Sequence, residues 1–450
     1  MFQKLKNIYH LFNAIMAGIF YGFPSRKLCV IGVTGTNGKT TTTQMIATIL
    51  EQSGKKTALC STINFWLNNK KWTNKTKFTT ESPWQMQKFI KKAKLASTQF
   101  VVIETSSHAL DQNRVWGLDY DFTVITNVTR EHLDYHKTMA QYRRAKLKLF
   151  KRFKSAQGFS IVNLDMKTPQ DFIIGEKQKN IGFTVNPEKI PPKIKNKVGS
   201  VITAKKIELK ENSSTFSVGK NSYKLKFPGL FNIENALAAI SVGQALKLDP
   251  HVMRKALFSI KVVPGRMEKV PNDRGLKIII DYALTPDSME KVGRLIKEKA
   301  QKTAKKFIWV FGACGQRDQG KRPIMGEIGA KYADIVIITN EDPYFEDPRQ
   351  IIDQILQGVS KIIPQGAFSS SNKSREKPRK AAKVSPGQSK KLAFRVFDRR
   401  KAIEKAVALA QKGDYILITG KGAEENMKIG KKLIEWNDKR VVKEVLGLGE

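Results

Sequence analysis

Acidic residues, cysteine and histidine are the scarce types in this chain. Forty Asp and Glu stand against eighty Lys and Arg in 450 residues, a formal charge of +40. That balance favours polyanions such as nucleic acid, anionic lipid or phosphorylated metabolites, without choosing among them. Three cysteines, Cys29, Cys60 and Cys314, are too widely spaced for a disulfide framework or a zinc pattern, so a reducing, cytoplasmic setting is expected. No run of 18 apolar residues occurs, so no spanning helix is expected. The apolar stretch 8–23 carries His10 and Asn13 and lacks a small-residue cleavage site, so it is not read as a signal peptide. What is plentiful is ordinary: 41 % of residues are hydrophobic, which excludes a wholly disordered or collagen-like chain. The length suggests about three domains, and no internal repeat is visible.

Within 8–23, Ile8, Leu11, Phe12, Ile15, Met16, Ile19, Phe20 and Phe23 recur at helical spacing, and Pro24 ends the run. The opposite face is small: Asn13, Ala14, Ala17 and Gly18. Such a helix either docks on the following domain or, with Lys4 and Lys6, lies on a membrane surface. From residue 27 short β-rich runs alternate with helical stretches. Strands are predicted at 28–33, 100–104, 122–127 and 159–163, short β runs and turns at 200–226, and a helix at 231–246. A second βα series follows at 277–282, 307–312, 334–339, 394–397 and 415–419. The fold class is therefore α/β: a central parallel-sheet domain (27–262) with a phosphate-binding loop, then a Rossmann-like C-terminal domain (263–450), after an amphipathic N-terminal helix (1–26). Residues 365–391 are rich in Ser, Lys and Pro and without periodicity. They read as a disordered basic insertion, either a solvated linker or a tether for a polyanion.

The strongest motif is Gly35-Thr36-Asn37-Gly38-Lys39-Thr40, directly after an apolar run. A strand, a Gly-rich turn and a helix N-terminus aim backbone N–H groups at phosphate. Lys39 would then reach the β/γ-phosphates and Thr40 would ligate Mg²⁺. The match to the usual phosphate loop is imperfect, because Val33 stands where its first glycine belongs. Glu104 ends a predicted strand and is placed to hold a metal. Three of the five histidines, His108, His132 and His136, follow two strand ends. Lys146 shares a helix face with Met139, Tyr142, Leu149 and Phe150. A lysine there is costly unless paired, modified or snorkelling outward. In the second half, turns at 281–287, 312–322 and 420–424 should converge at one sheet edge. There Arg317, Arg322 and Lys421 suit an anionic substrate, and Asp342 and Glu424 could receive an amine.

The segments GVTGTNGKTTT, ETSSHALDQNR, TNVTREHLDYHKTM, YRRAKLKLF, FNIENALAA, VPGRME, DYALTPDS, GKRPIMGEI and GKGAE occur in that order. In this the chain resembles the Mur ligases, most of all the MurE type. The resemblance implies an ATP-dependent ligase of peptidoglycan precursor synthesis. It would add a diamino acid, meso-diaminopimelate or L-lysine, to UDP-N-acetylmuramoyl-L-alanyl-D-glutamate through an acyl phosphate. By the same resemblance Lys39 and two Mg²⁺ serve phosphoryl transfer. Thr40 and Glu104 hold one ion; His132 and a carbamylated Lys146 hold the other. ATP would be met by the loop through Thr41 and by Asn235, Arg266 and Asp281. Thr79, Thr80, Ser106, Gln112 and Arg114 match positions that contact the UDP-muramoyl dipeptide, and Arg317, Asp342, Gly420 and Glu424 match the amino-acid pocket.

Three departures from that pattern stand out. Only a helical segment precedes the first strand, where the family carries a uridine-gripping domain. Leu284 and Ala423 replace two histidines of the family's motifs. Tyr344 replaces the arginine that marks diaminopimelate users. A ligase of another carboxylate, similar to folylpolyglutamate synthetase, and a non-catalytic nucleotide- or polyanion-binding relative stay open. A cytoplasmic monomer is expected, with no specific nucleic-acid partner and with membrane-surface contact through the first helix as the one further association.

Overall fold

The computed structural model describes residues 2–76, 78–153, 158–364, 367–370 and 391–449. It divides into two compact units, Met1–Thr129 with His136–Lys261, and Val262–Glu450 with Arg130–Tyr135.

The first unit is built on a nine-stranded sheet. Its strands are β1 (Cys29–Thr34), β2 (Thr57–Cys60), β3 (Asn64–Leu67), β4 (Lys70–Thr73), β5 (Phe100–Glu104), β6 (Phe122–Ile125), β7 (Phe159–Asn163), β8 (Asn180–Thr184) and β9 (Ser200–Thr203). Their order is β4-β3-β2-β5-β1-β6-β7-β8-β9. All neighbours run parallel except the β2–β3–β4 meander at one edge. Val30, Ile31 and Val33 of β1 are fully buried, as expected for a central parallel strand covered on both faces. A small antiparallel sheet follows: β10 (Lys205–Leu209), β11 (Ser214–Val218) and β12 (Asn221–Leu225). The helices of this part are α1 (Phe2–Tyr21), α2 (Lys39–Gln52), α3 (Pro83–Leu95), α4 (Ser107–Asp111), α5 (Leu133–His136), α6 (Met139–Phe150), α7 (Pro192–Lys195), α8 (Leu230–Ala245) and α9 (Pro250–Ser259). Asp249 caps α9 and Thr138 caps α6, each accepting from a backbone N–H of the first turn.

The second unit has strands β13 (Glu268–Val270), β14 (Lys277–Asp281), β15 (Phe307–Phe311), β16 (Ile335–Ile338), β17 (Phe368–Ser370), β18 (Leu392–Arg395) and β19 (Tyr415–Thr419), with a hairpin β20 (Asn426–Ile429) and β21 (Lys432–Glu435). The sheet order is β13-β14-β19-β15-β16-β18-β17, parallel apart from β13. Helices α10 (Pro286–Lys302), α11 (Arg322–Tyr332), α12 (Pro348–Val359), α13 (Arg399–Leu409) and α14 (Asp438–Val445) complete it.

Three sequence expectations are corrected. Strand β6 ends at Ile125, because Thr126 and Asn127 leave the ladder to bond the phosphate loop. Strand β18 starts earlier, at Leu392, where it pairs with β16. Disorder was expected throughout 365–391, but Phe368–Ser370 pairs with β18, and Lys391 Nζ donates to the Lys331 carbonyl at 2.8 Å. Residues 365–366 and 371–390 of that segment lie outside the described residues.

Arg399 and Asp438 form a buried two-bond pair in the second unit, Nε–Oδ1 2.8 Å and Nη2–Oδ2 2.7 Å, with Nη2 also on the Thr419 carbonyl at 2.9 Å. Both side chains are at most 1 % exposed. Asp438→Ala leaves a guanidinium buried without its counter-charge and should cost about 3–5 kcal/mol in a chemical-denaturation curve followed in that unit. A loss below about 1 kcal/mol would show that the guanidinium reaches water instead.

Candidate active site

The strand order explains why the first-half motifs meet. β1 lies between β5 and β6, so the chain reverses direction across it, and ligands bind at such a switch point. Val33 is paired with Glu104 and Thr34 with Ile125. The phosphate loop, the 104–108 turn and the 126–131 turn therefore leave adjacent strands at one edge.

The loop needs its glycines. Gly35 and Gly38 have φ of 152° and 82°. A Cβ on Gly35 would lie 1.8 Å from Thr126 Oγ1, and one on Gly38 2.2 Å from Asn235 Oδ1. Thr126 Oγ1 and Asn127 Nδ2 donate to the Asn37 carbonyl at 2.6 and 3.2 Å, and Asn127 Oδ1 accepts from the Asn37 N–H at 2.9 Å. Thr36 Oγ1 lies 3.1 Å from the Tyr142 hydroxyl. The loop is thus clamped by β6's continuation and by α6. Thr126, Asn127 and Tyr142 were not singled out as site residues from sequence; the Thr-Asn pair right after a strand was the available signal.

Lys39 opens α2 and folds back over the loop, its Nζ on the carbonyls of Gly35 (3.0 Å) and Thr36 (2.9 Å). Thr40 Oγ1 donates to Glu104 Oε1 and Oε2 at 3.0 and 3.1 Å, and the Thr62 N–H donates to Oε2 at 2.8 Å. Thr40 and Glu104 are buried, as is Thr41. Asn235 projects from α8, where Oδ1 accepts from Thr42 Oγ1 at 3.3 Å.

Lys146 is 1 % exposed. It does not snorkel: Nζ donates to the Gly35 carbonyl at 2.7 Å and lies 4.4 Å from the Tyr142 ring centroid. His136 Nε2 is 3.0 Å from Ser107 Oγ, and its ring is 5.4 Å from that of His108. Burial first, then Lys146 and Lys148 against the opposing Asp111, push the His136 pKa down to about 4. It is therefore neutral at physiological pH.

Beside Glu104 lies a polar cluster. Thr80 Oγ1 donates to the Glu104 carbonyl (2.9 Å) and accepts from the Ser106 N–H (2.9 Å); Arg114 Nη1 donates to the Thr80 carbonyl (2.6 Å). Thr79 is half-buried next to it. Gln112 ends α4, its N–H on the His108 carbonyl at 2.8 Å.

The remaining expected residues belong to the second unit. His132 lies in the 130–135 turn with φ of 57°. Arg266 Nη1 donates to the Gly265 carbonyl at 3.1 Å, and its guanidinium is 4.3 Å from the Tyr282 ring centroid. Asp281 Oδ2 accepts from the Met267 N–H at 2.7 Å; burial raises its pKa, with Arg266 opposing.

The turns after β14, β19, β15 and β16 converge, as their adjacency in the sheet requires. Asp342 and Glu424, expected to receive an amine, hold the ammonium of Lys421: Asp342 Oδ2 at 2.9 Å, with Glu424 Oε2 as the second acceptor. Burial opposes that charge, but Glu424 and Asp342 outweigh it and raise the Lys421 pKa. Tyr282 donates to Glu424 Oε1 at 2.9 Å, and Cys314 Sγ lies 3.1 Å from Glu341 Oε1. Gly420 has φ of 114°, and a Cβ there would strike Glu341 Oε2 at 2.1 Å. Arg317 stands 5.9 Å from the Tyr344 ring centroid. Arg322 is spent on structure, its Nη2 on Glu346 Oε2 at 2.9 Å. A buried pair that sequence did not single out, Lys321 Nζ and Glu131 Oε1 at 2.9 Å, pins the 130–135 turn to the turn before α11.

Residues 33–243 match the Mur ligase middle domain, and residues 265–422 match the Mur ligase glutamate ligase domain. UDP-N-acetylmuramoyl-L-alanyl-D-glutamate–2,6-diaminopimelate ligase of Syntrophomonas wolfei is 36 % identical over 439 residues, covering 96 % of this chain and 81 % of that protein. A solved structure of a ligase of the same description is 27 % identical with TM-score 0.58, covering 93 % and 78 % of the two chains. The Mycobacterium tuberculosis folylpolyglutamate synthase shares the fold, with TM-score 0.63 at 14 % identity, covering 91 % of this chain and 92 % of that one.

Proposed function

The chain belongs to the Mur ligase family, in its MurE branch, and from that premise we propose an ATP-dependent ligase that joins a diamino acid to UDP-N-acetylmuramoyl-L-alanyl-D-glutamate in peptidoglycan precursor synthesis. The observation that carries the reading is the clamped phosphate loop with Lys39 folded over it and Thr40 bonded to Glu104. In this reading the substrate carboxylate attacks the γ-phosphorus and ADP leaves. The amine then attacks the acyl phosphate, and inorganic phosphate leaves as the amide forms. Lys39 and the N–H groups at the start of α2 hold the phosphates as charge shifts between them. Thr80, Ser106 and Arg114 hold the dipeptide, with Thr79 and Gln112 beside them. Asn235 of the first unit, and Arg266 and Asp281 of the second, are assigned to the nucleotide by the family resemblance alone. Arg317, Asp342, Gly420 and Glu424 take the incoming amino acid.

A hydroxyl and a carboxylate within 3.0 Å of each other are hard oxygen donors that suit Mg²⁺, so Thr40 and Glu104 would hold one ion. Bound there, it would neutralise phosphate charge. For a second ion we propose a carbamate on Lys146; His132, in the second unit, is assigned to that ion by the family resemblance alone. An ammonium cannot ligate a cation. The neutral amine adds to carbon dioxide, forming an N–C bond, shifting one C=O pair to oxygen and releasing a proton, and so becomes an oxygen donor. The cytoplasm is the expected setting; among the described residues the cysteines are free thiols, and no helix is long and apolar enough to cross a membrane.

Incubation with ATP, Mg²⁺, UDP-muramoyl dipeptide and a panel of amino acids, read by mass spectrometry, should give tripeptide product with a diamino acid and stoichiometric ADP. ATP binding without product would instead mark a non-catalytic relative, consistent with Leu284 and Ala423.

The same assay tests selectivity. Diaminopimelate differs from lysine by a second carboxylate, and strong preference needs a fixed cation for it. Tyr344 offers one phenol hydrogen bond instead of a charged fork. Lys421 is already held by two carboxylates, and Arg349 lies over Phe397 at 6.0 Å. The expected ratio of kcat/KM for the two amino acids is below about a hundredfold, about 2.7 kcal/mol. A larger preference for diaminopimelate would show that Arg317 or another cation takes over that contact.

A further inference from the structure

Helix α1 is seated the wrong way round for a helix that serves only the core. A surface helix normally turns its apolar stripe inward. Here the small face is inward: Ala14 and Ala17 are fully buried, and a Cβ on Gly18 would meet the Phe23 ring at 2.5 Å. The seat is specific. Asn7 Nδ2 donates to Asp111 Oδ2 at 3.1 Å, Trp84 Nε1 donates to Asn13 Oδ1 at 3.3 Å, and the rings of Phe20 and Tyr21 lie 5.6 and 6.2 Å from Trp84. With that face docked on α3, Leu5, Ile8, Phe12, Met16, Ile19 and Phe20 point outward, 41–72 % exposed. Their spacing makes one continuous stripe over roughly a third of the helix circumference. Tyr9 lies within it, 66 % exposed. A stripe of this size facing water marks an interaction surface.

Charge decides what covers it. Residues 1–27 and 82–95, the segments holding α1 and α3, contain no Asp or Glu. Within those two segments Lys6, Arg26, Lys27, Lys88 and Lys92 are exposed. Of the acids outside those segments, Asp111 is engaged by Lys148 at 2.8 Å, Asp119 by Arg26 at 3.9 Å, and Glu81, just before α3, is buried and accepts from Thr76 Oγ1 at 2.6 Å. A second copy of this chain would bring the same uncompensated lysines face to face. An anionic bilayer instead supplies both an apolar interior for the stripe and phosphates for its rim. Tyr9, Tyr21 and Trp84 are amphipathic rings of the kind that rest at the headgroup level. Among the described residues no helix can cross a membrane, so α1 lies on the surface.

We propose that α1, braced by α3, docks this protein reversibly on anionic phospholipid surfaces, with its outward stripe at the headgroup–acyl boundary. The inference stands independently of the ligase reading. The full chain is tested by co-sedimentation with vesicles of phosphatidylglycerol mixed into phosphatidylcholine, and with pure phosphatidylcholine, at low and high salt. Partitioning should be at least tenfold stronger on the anionic vesicles and should fall steeply with salt. Ile8→Asp with Phe12→Asp and Ile19→Asp alters only exposed positions. It should keep thermal stability and oligomeric state and lose at least tenfold in binding. Lys88→Glu with Lys92→Glu should flatten the salt dependence. Failure of the native chain to bind anionic vesicles, or unchanged binding by the triple variant, would overturn the proposal. So would a native dimer that the triple variant converts to monomer, which would make a second copy the occupant.

Discussion

Lys39→Ala should reduce ATP consumption by on the order of 10³-fold or more, about 4 kcal/mol of transition-state stabilisation. The side chain leaves the first residue of α2, a helix N-terminus whose free N–H groups suit a phosphate. Its Nζ spans the carbonyls of Gly35 and Thr36, at 3.0 and 2.9 Å. The ammonium is therefore stored over the loop, with no rotamer search needed to reach a phosphate bound there. Alanine removes the only cation within the 35–41 loop. It leaves the clamp of Thr126, Asn127 and Tyr142 intact, so the fold should survive and the melting temperature should move by a few degrees at most. ADP release, measured with dipeptide and amino acid present, checks the prediction together with a thermal scan. Undiminished turnover would sink it. Lost turnover with a collapsed melting temperature would assign Lys39 to the architecture of the loop.

Much of this arrangement was legible because it is local or periodic. β5, β7 and β19 occupy the expected spans, 100–104, 159–163 and 415–419, since each is a short β-rich run bounded by turn residues. The Lys146 face was legible too, as a lysine in register with Tyr142 and Leu149; whether it snorkels or stays buried was not, and it is buried. What escaped was non-local. Nothing in the spacing of Asp342, Lys421 and Glu424 shows that an ammonium of the chain itself sits between the two carboxylates. That depends on β16 and β19 being separated by only one strand in the sheet. The seating of α1 was left open between two readings for a related reason. Periodicity gives the stripe but not which face meets the neighbour, and here a small face packing closely on α3 prevails over the apolar one.

Lys146→Ala should also cost on the order of 10³-fold in turnover, and the manner of its rescue identifies what the side chain does. Burial of an ammonium at 1 % exposure is costly unless strong acceptors meet it. Two of its partners, the Gly35 carbonyl at 2.7 Å and the Tyr142 ring face at 4.4 Å, are neutral. A carbamate in the same cavity would carry the opposite charge and turn an oxygen donor toward the loop. Both states predict a loss on truncation, because an ammonium brace and an anionic ligand are each removed. Added small molecules separate them. If Lys146 works as a carbamate, acetate or propionate entering the vacated space should restore turnover at least tenfold, and ethylammonium should not. Native mass spectrometry of the unaltered chain should show the added mass of carbon dioxide, and removing carbon dioxide from the buffer should lower its activity. If the ammonium only braces the Gly35 carbonyl, ethylammonium should rescue and carboxylates should fail, since a carboxylate cannot donate to a carbonyl. Rescue by the amine alone, or full activity of the alanine variant, would remove the carbamate from the site and leave Thr40 and Glu104 as its proposed cation ligands.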